Sequence, residues 1–518
     1  MSNFPATTFH LFGATALLLS ACGGLDDLGC EEAGCFFTHQ EWSRAQSLAG
    51  LAPPRNDASN RFVGNEAAVA LGWQFYFEGD FSGVSTWVDT LGRATASARS
   101  PLGTRTALSC ASCHNPTHAG TDTSSVPGHV SVGAGWYDVN SQQSVNAAYY
   151  DLLYWNGRSD SLWGQAFAVI ESAVSMNGNR LSIAWAVADK YRAAYEAVIG
   201  EPLPMTGTSA EVAAAVDVAG VCAGVAPACP TGCAVATNVE TGAQVCLPRF
   251  PLKGKPGKKA GCQVGDATEP FADAFDCMTD ADRSAVTRTL VNVAKLIGAY
   301  EFELRSRNAP FDRFVAEGPE STALSDDAKR GLRLFVGRAS CISCHNTPLF
   351  SDNAFHNIGV PQQGVSVPTV VDCPAGGACD CVTPRNCLPW GFFDGLTKLQ
   401  ASPVLRNGAF SDDPAKGSER SRFYTMVPGA QMKGQWRTPS LRDVALTAPY
   451  MHDGVYSTLD DVIQHYDQGG DTSAGVAHEL KPLKLSARDR ADLAAFLRTL
   501  TGVYDRPALH LPPPGAHL

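Results

Sequence analysis

Cys110-Ala111-Ser112-Cys113-His114 and Cys341-Ile342-Ser343-Cys344-His345 decide how this 518-residue chain is read. Each is a Cys-x-x-Cys-His run. At that spacing two cysteines add across the vinyl groups of a haem, and the next residue, a histidine, ligates the iron. The competing reading is structural zinc, because Cys-x-x-Cys is half of a zinc site and two halves can meet in space. Three features weigh against zinc. Both runs carry the immediate histidine, they lie in opposite halves of the chain, and the other cysteines suggest an oxidising compartment. Two covalently bound haem c groups make a redox protein.

The other cysteines set the compartment. Of 17, four go to haem. Phe9 to Ala21 is an apolar run too short to span a bilayer, and Leu19-Ser20-Ala21-Cys22 resembles a bacterial lipobox, although no Lys or Arg precedes it. The expectation is a lipoprotein-type signal peptide over 1–21, a lipid on Cys22 as the one membrane attachment, and a periplasmic or cell-envelope location. A buried N-terminal helix is the bland alternative. The remaining cysteines cluster as Cys30 and Cys35; as Cys222, Cys229, Cys233, Cys246, Cys262 and Cys277; and as Cys373, Cys379, Cys381 and Cys387. Even numbers in short windows predict local disulfides stapling inserted loops. A net charge of −11 argues against a nucleic-acid partner, and the one basic run, Lys253 to Lys259, reads as a solvated loop.

Apolar spacing predicts amphipathic helices over Glu66–Phe77 and Ser325–Phe335, each preceding a haem run. Gly72-Trp73-Gln74-Phe75-Tyr76-Phe77 and Gly331-Leu332-Arg333-Leu334-Phe335 form a faint internal repeat, so one small haem domain is expected twice. Ser486–Leu500 reads as a helix that Gly502 can stop, and Thr458–Tyr466 as a shorter one stopped by Gly469-Gly470. Residues 202–280 are rich in Gly, Pro, Ala and Cys and read as a stapled insertion. The Pro-rich tail from Pro507 onward reads as loose.

Further segments carry a family resemblance. They are Pro348-Leu349-Phe350-Ser351-Asp352-Asn353, Phe355-His356-Asn357-Ile358-Gly359, Thr438-Pro439-Ser440-Leu441-Arg442, Ala448-Pro449-Tyr450-Met451-His452-Asp453-Gly454 and, in the first half, Tyr154-Trp155-Asn156-Gly157-Arg158 with Gln165-Ala166. Together with the haem runs they resemble the bacterial dihaem cytochrome c peroxidase family, MauG-type enzymes included. The resemblance implies a mainly α fold of two packed cytochrome c-type haem domains with disulfide-stapled irregular insertions. The expected division is a tether and N-terminal segment over 22–64, a peroxidatic haem domain over 65–200, a Cys-rich insertion over 201–284, an electron-transfer haem domain over 285–505 with an insertion at 360–435, and a tail over 506–518.

The resemblance also assigns roles. Hydrogen peroxide would react at the His114 haem, and the His345 haem would relay electrons from a small redox protein or from a protein side chain to be oxidised. Trp155 matches the tryptophan between the haems; without the motif it is a core aromatic. Asn140, Thr447 and Pro449 match an interdomain calcium site, and a homodimer is an option that relatives use. The fourteenth residue after His452, where classical peroxidases carry a ligating Met and MauG-type enzymes a Tyr, is Tyr466; His465 and Met451 are rival ligands. A phenolate favours ferric and higher-valent iron.

Two positions depart from the family. In Ser131-Val132-Gly133-Ala134-Gly135-Trp136, Ala134 stands where classical members carry a haem-capping His, so the first haem is expected to be open; His118 and His129 are nearby alternatives. Ten residues after Gln165, where the catalytic glutamate belongs, stands Ser175, with Glu171 one turn earlier as a substitute. Without such a group, general acid–base assistance worth roughly 100- to 10,000-fold is missing. Two other functions therefore stay open: a dihaem electron carrier without peroxidase activity, and a haem-dependent oxygenase.

Overall fold

The computed structural model describes residues 36–89, 93–95, 98–126, 130–217, 220–238, 241–257, 262–264, 272–362, 379–383, 386–418, 421–471 and 478–516. The expectations for the signal segment, Cys22, Cys30, Cys35, His129, Lys258, Lys259 and Cys373 lie outside these residues, as do the side chains of Cys379, Cys381 and Cys387. Among the described residues no helix is long and apolar enough to cross a membrane.

The protein is mainly helical, with short two- and three-stranded sheets. Its helices start where the sequence offers caps. Asn65 caps Glu66–Tyr76, Ser325 caps Asp326–Val336, and Thr458 and Ser486 form capping boxes with Asp461 and Asp489. Leu459–Gln468 ends at Gly469 in the left-handed conformation. Ala487–Arg498 ends at Thr499 instead, ahead of the expected Gly502.

Two hydrophobic cores result. The first gathers Phe75, Tyr76, Trp163, Leu181, Leu290 and Tyr300. The second gathers Phe311, Leu332, Phe335, Phe350 and Phe496, whose rings meet at steep angles. The faint repeat has a physical meaning. A Cβ on Gly72 would lie 1.9 Å from the carbonyl oxygen of Leu296, and one on Gly331 would lie 2.0 Å from that of Asp492. In each core, then, a glycine lets the helix before the haem run close onto a later helix, Asp280–Glu301 in the first and Ala487–Arg498 in the second.

The cores redraw the expected domain limits. The first domain does not end at residue 200, because Asp280–Glu301 packs into the first core, whereas residue 285 was expected to open the second domain. Segment 36–48, part of the expected tether and N-terminal segment, is packed. Its helix His39–Ser47 buries Ala45, with Phe37 and Leu48 beside it, in the second core, and Arg44 donates to the Val336 carbonyl. The tail is not loose either. Leu509 and His510 are buried, Leu509 in the first core, and the Leu509 carbonyl accepts from the Tyr300 hydroxyl. The first and last described segments thus cross over, each packed on the other half's core.

The insertions are more regular than their composition suggests. In the first, Cys233–Asn238 pairs antiparallel with Gln244–Pro248 and parallel with Gln263–Val264. Its six cysteines close as Cys222–Cys233, Cys229–Cys246 and Cys262–Cys277, all local as expected. The second carries the helix Phe392–Gln400, which packs Leu396 and Leu399 near Leu152.

Candidate haem sites and the contact between them

Both Cys-x-x-Cys-His runs adopt one shape. Cys110–Ser112 and Cys341–Ser343 are single 3-10 turns, and the following histidines donate from their backbone N–H to Cys110 at 2.9 Å and to Cys341 at 3.0 Å. The His114 ring Nδ1 lies 2.8 Å from the Gln142 carbonyl, and the His345 Nδ1 lies 2.7 Å from that of Phe350. A carbonyl only accepts, so in both rings Nδ1 carries the hydrogen and Nε2 keeps the lone pair that a metal takes. Burial lowers the pKa of both imidazoles, which favours the ligating neutral form. Cys110, Cys113, Cys341 and Cys344 are unpaired. The pairs belong to separate cores, and among the described residues they do not meet as a zinc site would require. This donor set fits two covalently attached haems.

On the first side the two departing segments touch. Ala134 N–H donates to the Ser175 carbonyl at 2.8 Å, and Gly135 N–H to that of Val174 at 3.1 Å. Glycine is needed for this approach, since a Cβ on Gly133 would sit 2.5 Å from the Ser175 oxygen. The Cys113 sulfur lies 3.9 Å from the Val132 carbonyl, which puts the Ala134 segment beside the first attachment turn. Ser175 Oγ is buried with no hydrogen-bond partner. Such an orphan costs free energy unless something fills the space beside it. Glu171 is already engaged: Arg180 donates Nη2–H to Oε2 at 2.6 Å and Nε–H to Oε1 at 3.0 Å. Gln165 sits in the Leu162–Ile170 helix, and its backbone carbonyl accepts from the Tyr154 hydroxyl. His118 is exposed.

Trp155 lies where the halves meet. Its Nε1–H donates to the Asn140 carbonyl at 2.8 Å, and its own carbonyl accepts from Arg437 N–H at 2.8 Å. His452 stands edge-on at 6.4 Å between ring centroids, and Trp436 stacks on His452 at 4.0 Å. Full burial pushes the His452 pKa down to about 3, so this ring is neutral. Asn140 Nδ2 contacts the Pro449 carbonyl at 2.5 Å, so two of the three expected calcium positions adjoin, and Thr447 lies two residues before Pro449.

At the second site the Tyr466 phenol is pushed well up, first by burial and then by Cys341 and Cys344. The influence of these two thiols puts it in the neighbourhood of the second attachment turn. The neighbouring His465 is spent: its Nε2 faces the Ile358 carbonyl at 2.9 Å and its Nδ1 the Tyr456 hydroxyl at 3.0 Å. His356 bridges Asp352 at 2.9 Å and Glu479 at 2.7 Å, and these contacts together with Cys344 raise its pKa to about 11.

The roles of Arg180 and Trp436, the stacking of Trp436 on His452 and the Glu171 ion pair are not visible in the sequence. Their partners are set by folding, and local spacing gives no signal for them.

Residues 66–218 match the family model described as di-haem cytochrome c peroxidase. The cytochrome-c peroxidase IdrP1 of Denitromonas iodatirespirans is 28% identical over 395 residues, 76% of each chain. A methylamine utilization protein MauG of Methylorubrum extorquens is 34% identical over 209 residues, 40% of this chain and 44% of that protein. The crystal structure of a MauG-like protein associated with microbial copper homeostasis superposes with a TM-score of 0.50 at 20% identity, covering 89% of this chain and 95% of that one. This last likeness is one of fold.

Proposed function

We propose, from the premise that this chain is a relative of the di-haem cytochrome c peroxidases and MauG proteins, that it is a two-haem oxidoreductase. In this reading it reduces hydrogen peroxide at the His114 haem with electrons relayed through the His345 haem. The observation that carries the reading is the pair of equivalent attachment turns, one per core, each ending in a histidine oriented through Nδ1 with Nε2 left to iron. Bound haem would supply the redox-active iron and the site for peroxide.

The chain supplies the surroundings. Ala134 brings no side-chain ligand, so a haem held there would stay open to a small molecule. Ser175 Oγ has an unused hydrogen-bonding capacity there and can donate to peroxide, but a hydroxyl is a poor proton acceptor near neutral pH. Glu171, held by Arg180, is not available as the acid–base group. Trp155 spans the contact between the halves and is the natural relay. Tyr466 would help hold the second haem through its oxygen, since both nitrogens of His465 are occupied, with Met451 the remaining rival. Asn140, Thr447 and Pro449 offer oxygens suited to one Ca2+ once the Asn140 amide turns its oxygen inward. The electron source is a small redox protein or an oxidisable protein side chain. The three local disulfides suit an oxidising envelope compartment.

The second reading, a dihaem electron carrier, draws on Ser175 and on the engagement of Glu171. Stopped-flow mixing of the diferric holoprotein with hydrogen peroxide separates the two. A change in the haem absorption within the first seconds is expected; a spectrum that stays ferric under excess peroxide leaves the carrier.

A further inference from the structure

The cysteine-stapled insertion reaches back to the segment that presents Ser175. Glu171 to Asn177 forms a tight loop: Ser175 N–H and Asn177 N–H both donate to the Ser172 carbonyl. Lys255, from the insertion, closes this loop from outside. Its Nζ lies 3.2 Å from the Glu171 carbonyl oxygen and 3.4 Å from Asn177 Oδ1, the two ends of the loop. The neighbouring Gly254 N–H donates to Asn179 Oδ1 at 2.8 Å, and its carbonyl accepts from Leu181 N–H at 3.2 Å. A Cβ on Gly254 would lie 2.6 Å from the Phe275 nitrogen, so only glycine lets the strap run this close. The Phe275 ring lies 5.1 Å from the Arg180 guanidinium, which in turn holds Glu171. The strap is itself anchored, because Gly257 N–H donates to Asp276 Oδ2 at 2.7 Å and Cys277 is bonded to Cys262.

We infer that the insertion is the outer wall of the peroxide side, and that Lys255 is a positioning residue which fixes the Glu171–Asn177 loop and with it Ser175. This rests on the reading of the His114 haem as the open one. An ammonium group donates to carbonyl and amide oxygens with charge assistance and bridges two acceptors at once. A methionine fills the space but has no donor, and a glutamine, shorter by one atom and uncharged, does not bridge both loop ends. Because the Ser175 and Val174 carbonyls also hold the Ala134–Gly135 backbone, slack in the loop passes directly to the segment facing the first haem.

Two measurements on the full-length holoprotein test this, with Lys255→Met, Lys255→Gln and Lys255→Arg. Hydrogen exchange reads the loop itself: amides of 172–177 are expected to exchange about tenfold faster in the Met and Gln variants and at the wild-type rate in the Arg variant. Cyanide association with the ferric protein reads the haem side, and its rate at the open haem is expected to change severalfold in Met and Gln and to be restored in Arg. Unchanged exchange in Met and Gln, or equal changes in all three, overturns the inference. Faster exchange with unaltered cyanide binding overturns the link to the haem. A wild-type protein that takes up no cyanide sinks the open-site reading itself, and the exchange rates still judge the brace.

Discussion

Single side chains decide the chemistry, and several can be tested one at a time. In the proposed reading Ser175→Glu supplies the missing acid–base group, so the rate of reaction with peroxide should rise by about 100-fold or more in stopped flow. An unchanged rate would mean that another group already handles the proton. Tyr466→Met should raise the potential of one haem, since a thioether favours ferrous iron, while His465→Gln should leave both potentials near wild type; redox titration followed optically reads each. A potential that moves with His465 instead would reassign the ligand. Glu301 is buried beside Cys110 and the tyrosines Tyr76 and Tyr300, its Oε2 has no partner, and burial raises its pKa to about 8 from 4.5. The folded state therefore binds an extra proton between these values. The contribution of Glu301 to stability is greatest below pH 4.5 and falls as pH rises toward 8. Glu301→Gln should flatten that slope, raising the thermal midpoint at pH 8 while leaving it nearly unchanged at pH 4.5.

Helices and loops set where those side chains stand. Each core depends on one close helix crossing, which a single glycine permits. Gly331→Ala forces a methyl against the Asp492 carbonyl and Gly72→Ala one against that of Leu296, so each should cost about 1–3 kcal/mol in chemical denaturation. Wild-type stability in either variant would mean that the helices slide apart without loss. The glycines, caps and apolar faces that build these helices were legible, because they are local and repeat at helical spacing. The strap of the first insertion was not, because its composition gives no period and its meaning lies in what it touches.

At the scale of the whole molecule the two halves are bound by exchanged ends. The His39–Ser47 helix lies on the second core and the 507–511 segment on the first. Removing residues 507–518 uncovers Tyr300 and the buried Leu509 site, so the first half should unfold at lower temperature; a Leu509→Ala variant alone should cost about 2–5 kcal/mol. Polar ties run between the halves as well: Asn146 and Ser306 exchange two hydrogen bonds, and Ser306 Oγ and Gly502 N–H both donate to Asp443 Oδ1. Calorimetry that shows the same first transition after truncation would refute the strapping role of the tail.

The sequence alone determined the two Cys-x-x-Cys-His turns, the mainly helical build and that the six insertion cysteines close locally. All of these are written in spacings of a few residues, where backbone geometry leaves little choice. Only the tertiary structure decided that Asp280–Glu301 completes the first core, that the first and last described segments trade halves, that Arg180 occupies Glu171 and that Trp436 stacks on His452. Those contacts join residues far apart in the chain, where burial of apolar surface and pairing of buried charge, rather than local preference, select the partner.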